Sequence, residues 1–462
     1  MTLTDDLAAA LGDGFMSDPH ARQERSGDMW SRAAIAGQGP AAGGPAAVCA
    51  PASTEELAEV VSICGVHKAP MVARGGGSGV VGGVLANEKT VVISTERLSG
   101  LVDYDDKDML ATFGAGTNGM AAEQMMAERG MTIGHWPQSI EISSVGGWVA
   151  TRASGQYSTA YGNIEDIVYS LEAVLADGSI YRSRSTPRAS AGPDLRQLLL
   201  GSEGALGIIT EVTLSVREKP EPGVRQAFHF EELGIGLEAI RLIMRQGWRP
   251  PVVRLYDGQE SWRHFRDQLP KGNAMGIFLH EGPPGIAEIE AAAVAELCLS
   301  LGGVAAAPDA VDGWFEHRNT VPSWSDLLAQ GVVADTIEVG AEWSKLPRLY
   351  TSVVEALRSV PHVVAATAHS SHAYRSGANW YFTFATTPPD PADRAATYDQ
   401  CWHAAMTAVS EAGAGIAHHH GIGRVRRPWM EAELGPGGTT MLRAVKAALD
   451  PHSIMNPGVL IP

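Results

Sequence analysis

Between Ser53 and Val66 the apolar residues Leu57, Val60, Val61 and Cys64 recur at i, i+3, i+4 and i+7, the spacing of an amphipathic helix. Ser53-Thr54-Glu55-Glu56 opens it with the signature of a capping box. Two short apolar runs follow, Pro70-Met71-Val72 and Val91-Val92-Ile93, with a glycine-rich stretch between them, so helix, strand, loop and strand begin an α+β pattern. Lys107–Phe113 is predicted as a further strand and Asn118–Arg129 as a helix closed by Gly130. Ile167–Leu175 and Ser179–Arg182 are predicted as a hairpin whose Asp177-Gly178 signals a type I′ turn, and Glu211–Val216 as the strand closing the first half.

Lys219-Pro220-Glu221-Pro222-Gly223 is rich in breakers and marks a domain boundary. Beyond it Gly234–Gln246 and Ile286–Leu301 have helical spacing, whereas Val252–Leu255 and Met275–His280 are extended. Asn379–Thr387 alternates, with Trp380, Phe382 and Phe384 on one face and Tyr381 and Thr383 on the other. That is a half-buried strand whose second face is free to point into a site. The organisation expected is an N-terminal extension (1–44) with a weak helix near Asp5–Leu11, a first domain (45–222), a second (223–415) and a C-terminal segment (416–462).

Composition narrows the function. The 462 residues carry a net charge of −17, spread rather than blocked, which argues against nucleic acid and anionic membrane as main partners. No apolar run reaches a membrane span, and the first residues lack the core of a signal peptide. Cys49, Cys64, Cys298 and Cys401 are scattered, so neither disulfides nor a structural zinc site is expected and a reducing cytoplasm fits best. The sequence leaves a homodimer open.

The chemistry concentrates in three stretches. From Gly75 to Gly83, six glycines in nine positions follow Arg74. Backbone N–H groups without a Cβ in the way favour a diphosphate cradle over a plain flexible turn. Gly77, Gly79 and Gly82 spell G-x-G-x-x-G, but no helix starts inside the motif, so a nicotinamide-type dinucleotide fold is rejected. Residues 131–166 are crowded with small and hydroxyl-bearing side chains, yet carry Trp136, Val145, Trp148 and Ile164. That mixture favours a lining pressed against a flat polar ligand. His418-His419-His420 lies inside the chain, and composition alone leaves a surface loop and a functional site equally open.

Together these motifs resemble the flavoproteins with a vanillyl-alcohol-oxidase-type (PCMH-type) FAD-binding domain. The resemblance runs from about residue 45 nearly to the end and is carried by seven segments in order. They are Gly134-His135-Trp136-Pro137, Val145-Gly146-Gly147-Trp148, Arg152-Ala153-Ser154-Gly155, Tyr161–Asp166, Gly201–Thr210, Arg254-Leu255-Tyr256-Asp257 and His418–Gly423. Within that superfamily the chain is most similar to the alkyldihydroxyacetonephosphate synthase branch. Its tail, Gly421-Ile422-Gly423, Lys446–Pro451 and Asn456-Pro457-Gly458, resembles the glycolate oxidase and D-lactate dehydrogenase branch.

The resemblance implies an α+β fold: a two-subdomain PCMH-type FAD-binding domain plus an α/β cap domain with an antiparallel sheet. It implies that Arg74, Gly75, Gly76, Gly77, Ser78 and Gly79 hold the FAD pyrophosphate, and that Ser139, Ser143, Ser144, Gly146, Thr151, Arg152, Ala153 and Ser154 line the cofactor. Glu203, Gly204, Leu206, Gly207, Ile208 and Ile209 would run along its adenine side. The place of the histidine that often holds FAD covalently is taken by Gly77-Ser78, so non-covalent FAD is expected.

Tyr381, His418, His419 and His420 match acid/base positions, His135 a place near the flavin, and Arg254 a cap-strand arginine for a small anionic substrate. Where that branch has a phosphate-binding arginine two residues after a tryptophan, this chain has Lys345 after Trp343. Lysine keeps the charge but loses the bidentate fork. His369 and His372 lack a familiar metal-ligand spacing, and no metal is expected.

Overall fold

The computed structural model describes residues 2–35, 44–221, 223–320 and 323–461; Pro222 of the predicted linker and part of the N-terminal extension lie outside them. The extension carries more structure than its composition suggests. Helix α1 (Leu3–Leu11) has a complete capping box at Thr2 and buries Leu7 and Leu11. A short strand β1 (Phe15–Met16) then joins a sheet with β2 (Ala47–Cys49), β3 (Met71–Arg74) and β4 (Val91–Ser94).

Helix α2 (Thr54–His67) packs on that sheet through Leu57, Val60, Val61 and Cys64, all with no exposed surface. Ser53 Oγ accepts from Glu56 N as predicted, but the Glu56 carboxylate reaches Ala52 N at 2.7 Å instead of closing the box on Ser53. The sheet order is β1-β2-β4-β3, with β2, β3 and β4 parallel. The glycine loop leaves the carboxyl end of β3, where open parallel sheets place their ligands.

A second, antiparallel sheet has the order β5-β6-β9-β7-β8, built from β5 (Leu101–Asp105), β6 (Leu110–Gly114), β7 (Val168–Val174), β8 (Ile180–Arg182) and β9 (Ile208–Ser215). Two predictions are corrected here. The strand predicted at Lys107–Phe113 begins only at Leu110: Asp105 Oδ1 accepts from Lys107 N and Asp108 N, an Asx turn that puts residues 107–109 in the turn of the β5–β6 hairpin. The β7–β8 turn is not type I′, because Gly178 has φ 81° while Asp177 is not among the positive-φ residues. Gly178 N bonds Leu175 O and Leu175 N bonds Ser179 O, which gives a three-residue loop with glycine in the left-handed position. Helices α3 (Gly119–Ala127, capped by Asn118) and α4 (Val145–Thr151) cover this sheet around Trp148.

The second half is organised by seven antiparallel strands. These are β10 (Val224–Phe230), β11 (Val252–Tyr256), β12 (Ala274–His280), β13 (Val304–Ala306), β14 (Val333–Glu342), β15 (Val363–Ser370) and β16 (Gly377–Thr386), in the order β13-β10-β12-β11-β15-β16-β14. Helices α5 (Leu233–Gln246), α7 (Ile286–Ser300), α9 (Leu346–Arg358) and α10 (Arg394–Glu411) bury one face of this sheet. Trp380, Phe382 and Phe384 of β16, Val253 and Leu255 of β11, and Ala366 and Ala368 of β15 all point into that core. The strand period of two therefore delivers Arg254, His369 and Tyr381 to the opposite face. Helices α6 (Gly258–Phe265) and α8 (Asp309–His317) lie on that side.

The C-terminal segment crosses back between the halves. Gly415 bridges Gly340 of β14, and Arg424 N bonds Val81 O in the glycine loop. After helix α11 (Met430–Leu449), broken at Gly435-Pro436, Met455 bridges Met71 and Asn456 N bonds Met71 O at 2.7 Å. No helix among the described residues is long and apolar enough to cross a membrane.

Candidate active site

One cavity of about 1050 Å³ runs from the glycine loop, past the segment 137–156, to the face of the seven-stranded sheet opposite its helix-packed core. The N–H groups of Gly75, Gly76, Gly77, Ser78 and Gly79 have no hydrogen-bond partner among the described residues. Five consecutive free donors at a strand end form an anion cradle. A Cβ on Gly75 would meet Ser144 Oγ at 2.1 Å, and one on Gly76 would meet Ile142 O at 2.0 Å, so the close approach of loop and segment requires glycine. Arg74, expected to hold the cofactor, turns away from the cavity: its guanidinium donates to Gly27 O and Gly75 O and braces the loop from behind.

Ser139, Ser143, Ser144, Gly146, Thr151, Ala153 and Ser154 line the cavity, as do Glu203, Gly204, Gly207, Ile208 and Ile209. Ser154 Oγ and Thr95 Oγ1 are buried without partners, leaving hydroxyls for a polar ligand. Two expected contacts are corrected. Arg152 has left-handed backbone (φ 53°) as it closes α4, and its side chain leaves the cavity to pair with Glu165 at 3.2 Å. Leu206 buries its side chain in the core beneath the loop. The unpaired amides, the close-packed glycines and the orphaned hydroxyls fit an extended dinucleotide such as FAD.

On the facing sheet Tyr381 stacks on His369 (ring centroids 4.8 Å apart, 23° between planes) and on His419 (5.9 Å, 23°). Burial pushes its hydroxyl up to about 12. Arg254 donates from Nε to Tyr256 Oη at 2.7 Å and lies 5.5 Å from the Trp314 ring centroid. No carboxylate pairs with Arg254 among the described residues.

The histidine triplet is held from its backbone side. Glu338 Oε1 accepts from the N–H groups of His418, His419 and His420 at 3.3, 3.0 and 2.6 Å. Its other oxygen pairs with Arg426, fully buried like Glu338 itself. Burial works against ionisation, but Arg426, the histidines and the His420 N–H hold the Glu338 carboxyl well below the usual range. His419 and His420 line the cavity, whereas His418 lies behind them and bonds Tyr374 Oη through Nε2 at 2.7 Å. Burial lowers His418 to about 4 and holds His419 and His420 below the ordinary imidazole value, so the triplet is neutral at neutral pH.

His372, His418 and His419 bring one ring nitrogen each within 4.8 Å of one another, the arrangement among the described residues nearest to a metal-ligand set. His135 lies outside the cavity lining: its ring packs on Trp148 at 4.8 Å, burial lowers it to about 3, and both nitrogens lack partners. Lys345, expected to hold substrate, stands half-exposed on the far side, paired with Glu342 at 3.0 Å and donating to Gly413 O. It precedes α9, and the start of that helix turns it outward.

Several lining residues carried no signal in the sequence. Asp28 of the uninformative N-terminal extension reaches the glycine loop, accepting from Val84 N, and burial raises it to about 6. Glu260 is hidden because Asp257-Gly258-Gln259-Glu260 reads simply as a helix start, and Asp257 does cap α6. Arg318 stacks 4.4 Å over Trp136, in a position that no local pattern predicts.

Comparison with known proteins agrees with this geometry. Residues 45–184 match the model of the FAD binding domain, and residues 219–460 that of the FAD linked oxidases, C-terminal domain. The chain is 35% identical over 439 residues to the "Uncharacterized FAD-linked oxidoreductase YgcU" of Escherichia coli (strain K12), covering 90% of this chain and 89% of that protein. It is 30% identical to the alkyldihydroxyacetonephosphate synthase of Caenorhabditis elegans, covering 90% and 76%. A solved structure of an alkyldihydroxyacetonephosphate synthase superposes with a TM-score of 0.82 at 25% identity over 99% of this chain and 86% of that one.

Proposed function

The chain belongs to the family of FAD-linked oxidases, and on that premise we propose that it oxidises a small anionic substrate, a 2-hydroxycarboxylate, with FAD held non-covalently. The observation that carries this reading is Arg254. It is a cation without a carboxylate partner on the sheet face that also presents Tyr381 and, nearby, His419 and His420. Such a guanidinium binds carboxylate with charge-assisted hydrogen bonds. Tyr381 and the triplet supply groups that hold or move a proton beside it. Gly75 to Gly79 would hold the diphosphate through their free amides, and Ser154 and Thr95 would meet its polar flank. FAD, when bound, supplies the acceptor for an electron pair.

A second reading, exchange of an acyl for an alkyl group on a ketone phosphate, is favoured by the likeness to the synthases and by the apolar end of the cavity at Phe265, Trp314 and Leu327. The outward placement of Lys345 weighs against it, because the phosphate partner expected there is missing from the cavity. The test is the visible spectrum of FAD-loaded protein under anaerobic addition of D- and L-lactate, glycolate and acyl-dihydroxyacetone phosphate. Bleaching by a hydroxy acid supports the first reading. Bleaching only by the ketone phosphate, reversed by a fatty alcohol, replaces it with the second.

A further inference from the structure

His369, one residue before the end of β15, sets its ring between Tyr381 and Tyr256, whose centroid lies 5.3 Å away. Its Nδ1 is 2.9 Å from Glu260 Oε2 on α6. Glu260 is itself almost fully buried, bonded by Thr367 Oγ1 at 2.9 Å and paired with Arg263 at 3.3 Å. An ionised carboxylate only accepts, so the hydrogen-bond network assigns the proton to Nδ1 and leaves the lone pair on Nε2. Nε2 has no hydrogen-bond partner among the described residues, and the residue lines the cavity. The other histidines of the cavity wall, His264, His317, His372, His419 and His420, make no hydrogen bond to a carboxylate: His372 Nδ1 meets Ser158 Oγ, and His420 stands 3.6 Å from Glu338. Among the described residues of the cavity wall, only His369 combines a fixed tautomer, a free lone pair and a carboxylate behind it that favours the imidazolium.

From this geometry we infer that His369 is the proton acceptor of the site, with Glu260 as its positioning residue. The inference rests on the hydroxy-acid reading above. The substrate's hydroxyl proton passes to Nε2 and its carbon-bound hydrogen leaves with two electrons to the FAD. The C–O single bond becomes C=O, and the proton then escapes to solvent. Tyr381, with its raised hydroxyl, acts as a donor rather than the base.

The groups facing His369 are Glu260, Asp257 and His264 on α6, Arg254 and Tyr256 on β11, Tyr381 on β16, and His372 in the turn after its own strand. Burial holds the His369 imidazole below its ordinary value; Glu260 counters this in part by favouring the imidazolium and Arg254 adds to it, so removing Glu260 moves the titration to still lower pH.

The test has two arms on the FAD-loaded protein. In the first, diethyl pyrocarbonate labelling is mapped by peptide mass, with the exposed His20 as internal control. His369 is expected to be carbethoxylated and to be protected by oxalate. In the second, the rate of anaerobic flavin reduction is followed against pH for wild type, His369→Gln and Glu260→Gln, at wild-type flavin content to certify folding. The His369→Gln variant is expected to lose roughly 10²–10⁴-fold in rate, the usual range for a general base, together with the rising limb of the profile. Glu260→Gln is expected to shift that limb to lower pH and lower the plateau with KM little changed. A uniform fall without a shifted limb would make Glu260 structural and overturn its part. A His369 that resists labelling while His20 reacts, or a His369→Gln variant with wild-type rate, overturns the inference alone. Absence of bleaching by every hydroxy acid overturns the functional reading and the proton-acceptor role with it.

Discussion

Glu338 in the cap sheet and Glu203 in the FAD-binding half each accept hydrogen bonds from consecutive N–H groups of the stretch from His418 to Gly423. Glu338 takes three of them on one oxygen, while Glu203 takes Ile422 N at 2.6 Å and Gly423 N at 2.8 Å on its two oxygens. Both carboxyls are buried, yet they titrate in opposite directions. Burial raises Glu203 to about 7, only partly offset by the two amides and the more distant Arg426, whereas Arg426 in direct contact keeps Glu338 well below the usual range. Backbone donors alone do not compensate for the desolvation of a carboxylate; a guanidinium in contact does. One clamp is thus an ion pair throughout the neutral range, and the other changes charge within it.

The largest effect expected from breaking this symmetry is at the ion pair. Glu338→Ala leaves Arg426 buried without its carboxylate, and should cost about 3–5 kcal/mol in chemical denaturation. Replacing both partners, Glu338→Met with Arg426→Met, should recover part of that loss but not all, because three N–H groups remain unsatisfied. Glu203→Gln is expected to cost less, about 1–3 kcal/mol, for the one amide its NH₂ cannot accept from.

The pH dependence sharpens the contrast. Glu203 has its folded value raised from 4.5 to about 7, so its contribution is complete below about pH 4.5 and lost as pH rises through 7. Glu338 has its value depressed, so its contribution is present above the ordinary 4.5 and lost as pH falls below it. Thermal melts from pH 5 to 8 should therefore show a decline in wild type that flattens in Glu203→Gln.

Arg254 is the opposite case to Arg426, a cation without a carboxylate partner among the described residues. Arg254→Met should leave the melting temperature near wild type but weaken oxalate binding, read from the flavin spectrum, by roughly 10- to 100-fold, the value of a charge-assisted hydrogen bond. The smallest effect is expected at Lys345→Met, which should change neither oxalate affinity nor flavin content, since Lys345 pairs with Glu342 outside the cavity.

Much of the site is legible in the sequence. The glycine loop, the polar lining and the alternation around Tyr381 are local patterns, each a consequence of what a few adjacent residues do to backbone and face. Arg74, Arg152 and Leu206 belong to the right segments, but each side chain points away from the cavity, because loop and helix-end geometry sets direction residue by residue. Lys345 has the right charge at the expected place in the chain and faces outward.

The sequence by itself determined several elements and the place of the cradle: Ser53 starts a helix, the glycines from Gly75 to Gly83 interrupt the strands on either side, and Trp380, Phe382 and Phe384 must bury one face of theirs. Only the tertiary structure decided which charges meet. Glu338 and Arg426 are 88 residues apart, Glu260 and His369 109, and Glu203 and Ile422 219. No local spacing encodes such pairs, because a buried charge is tolerated only where distant elements converge to satisfy it.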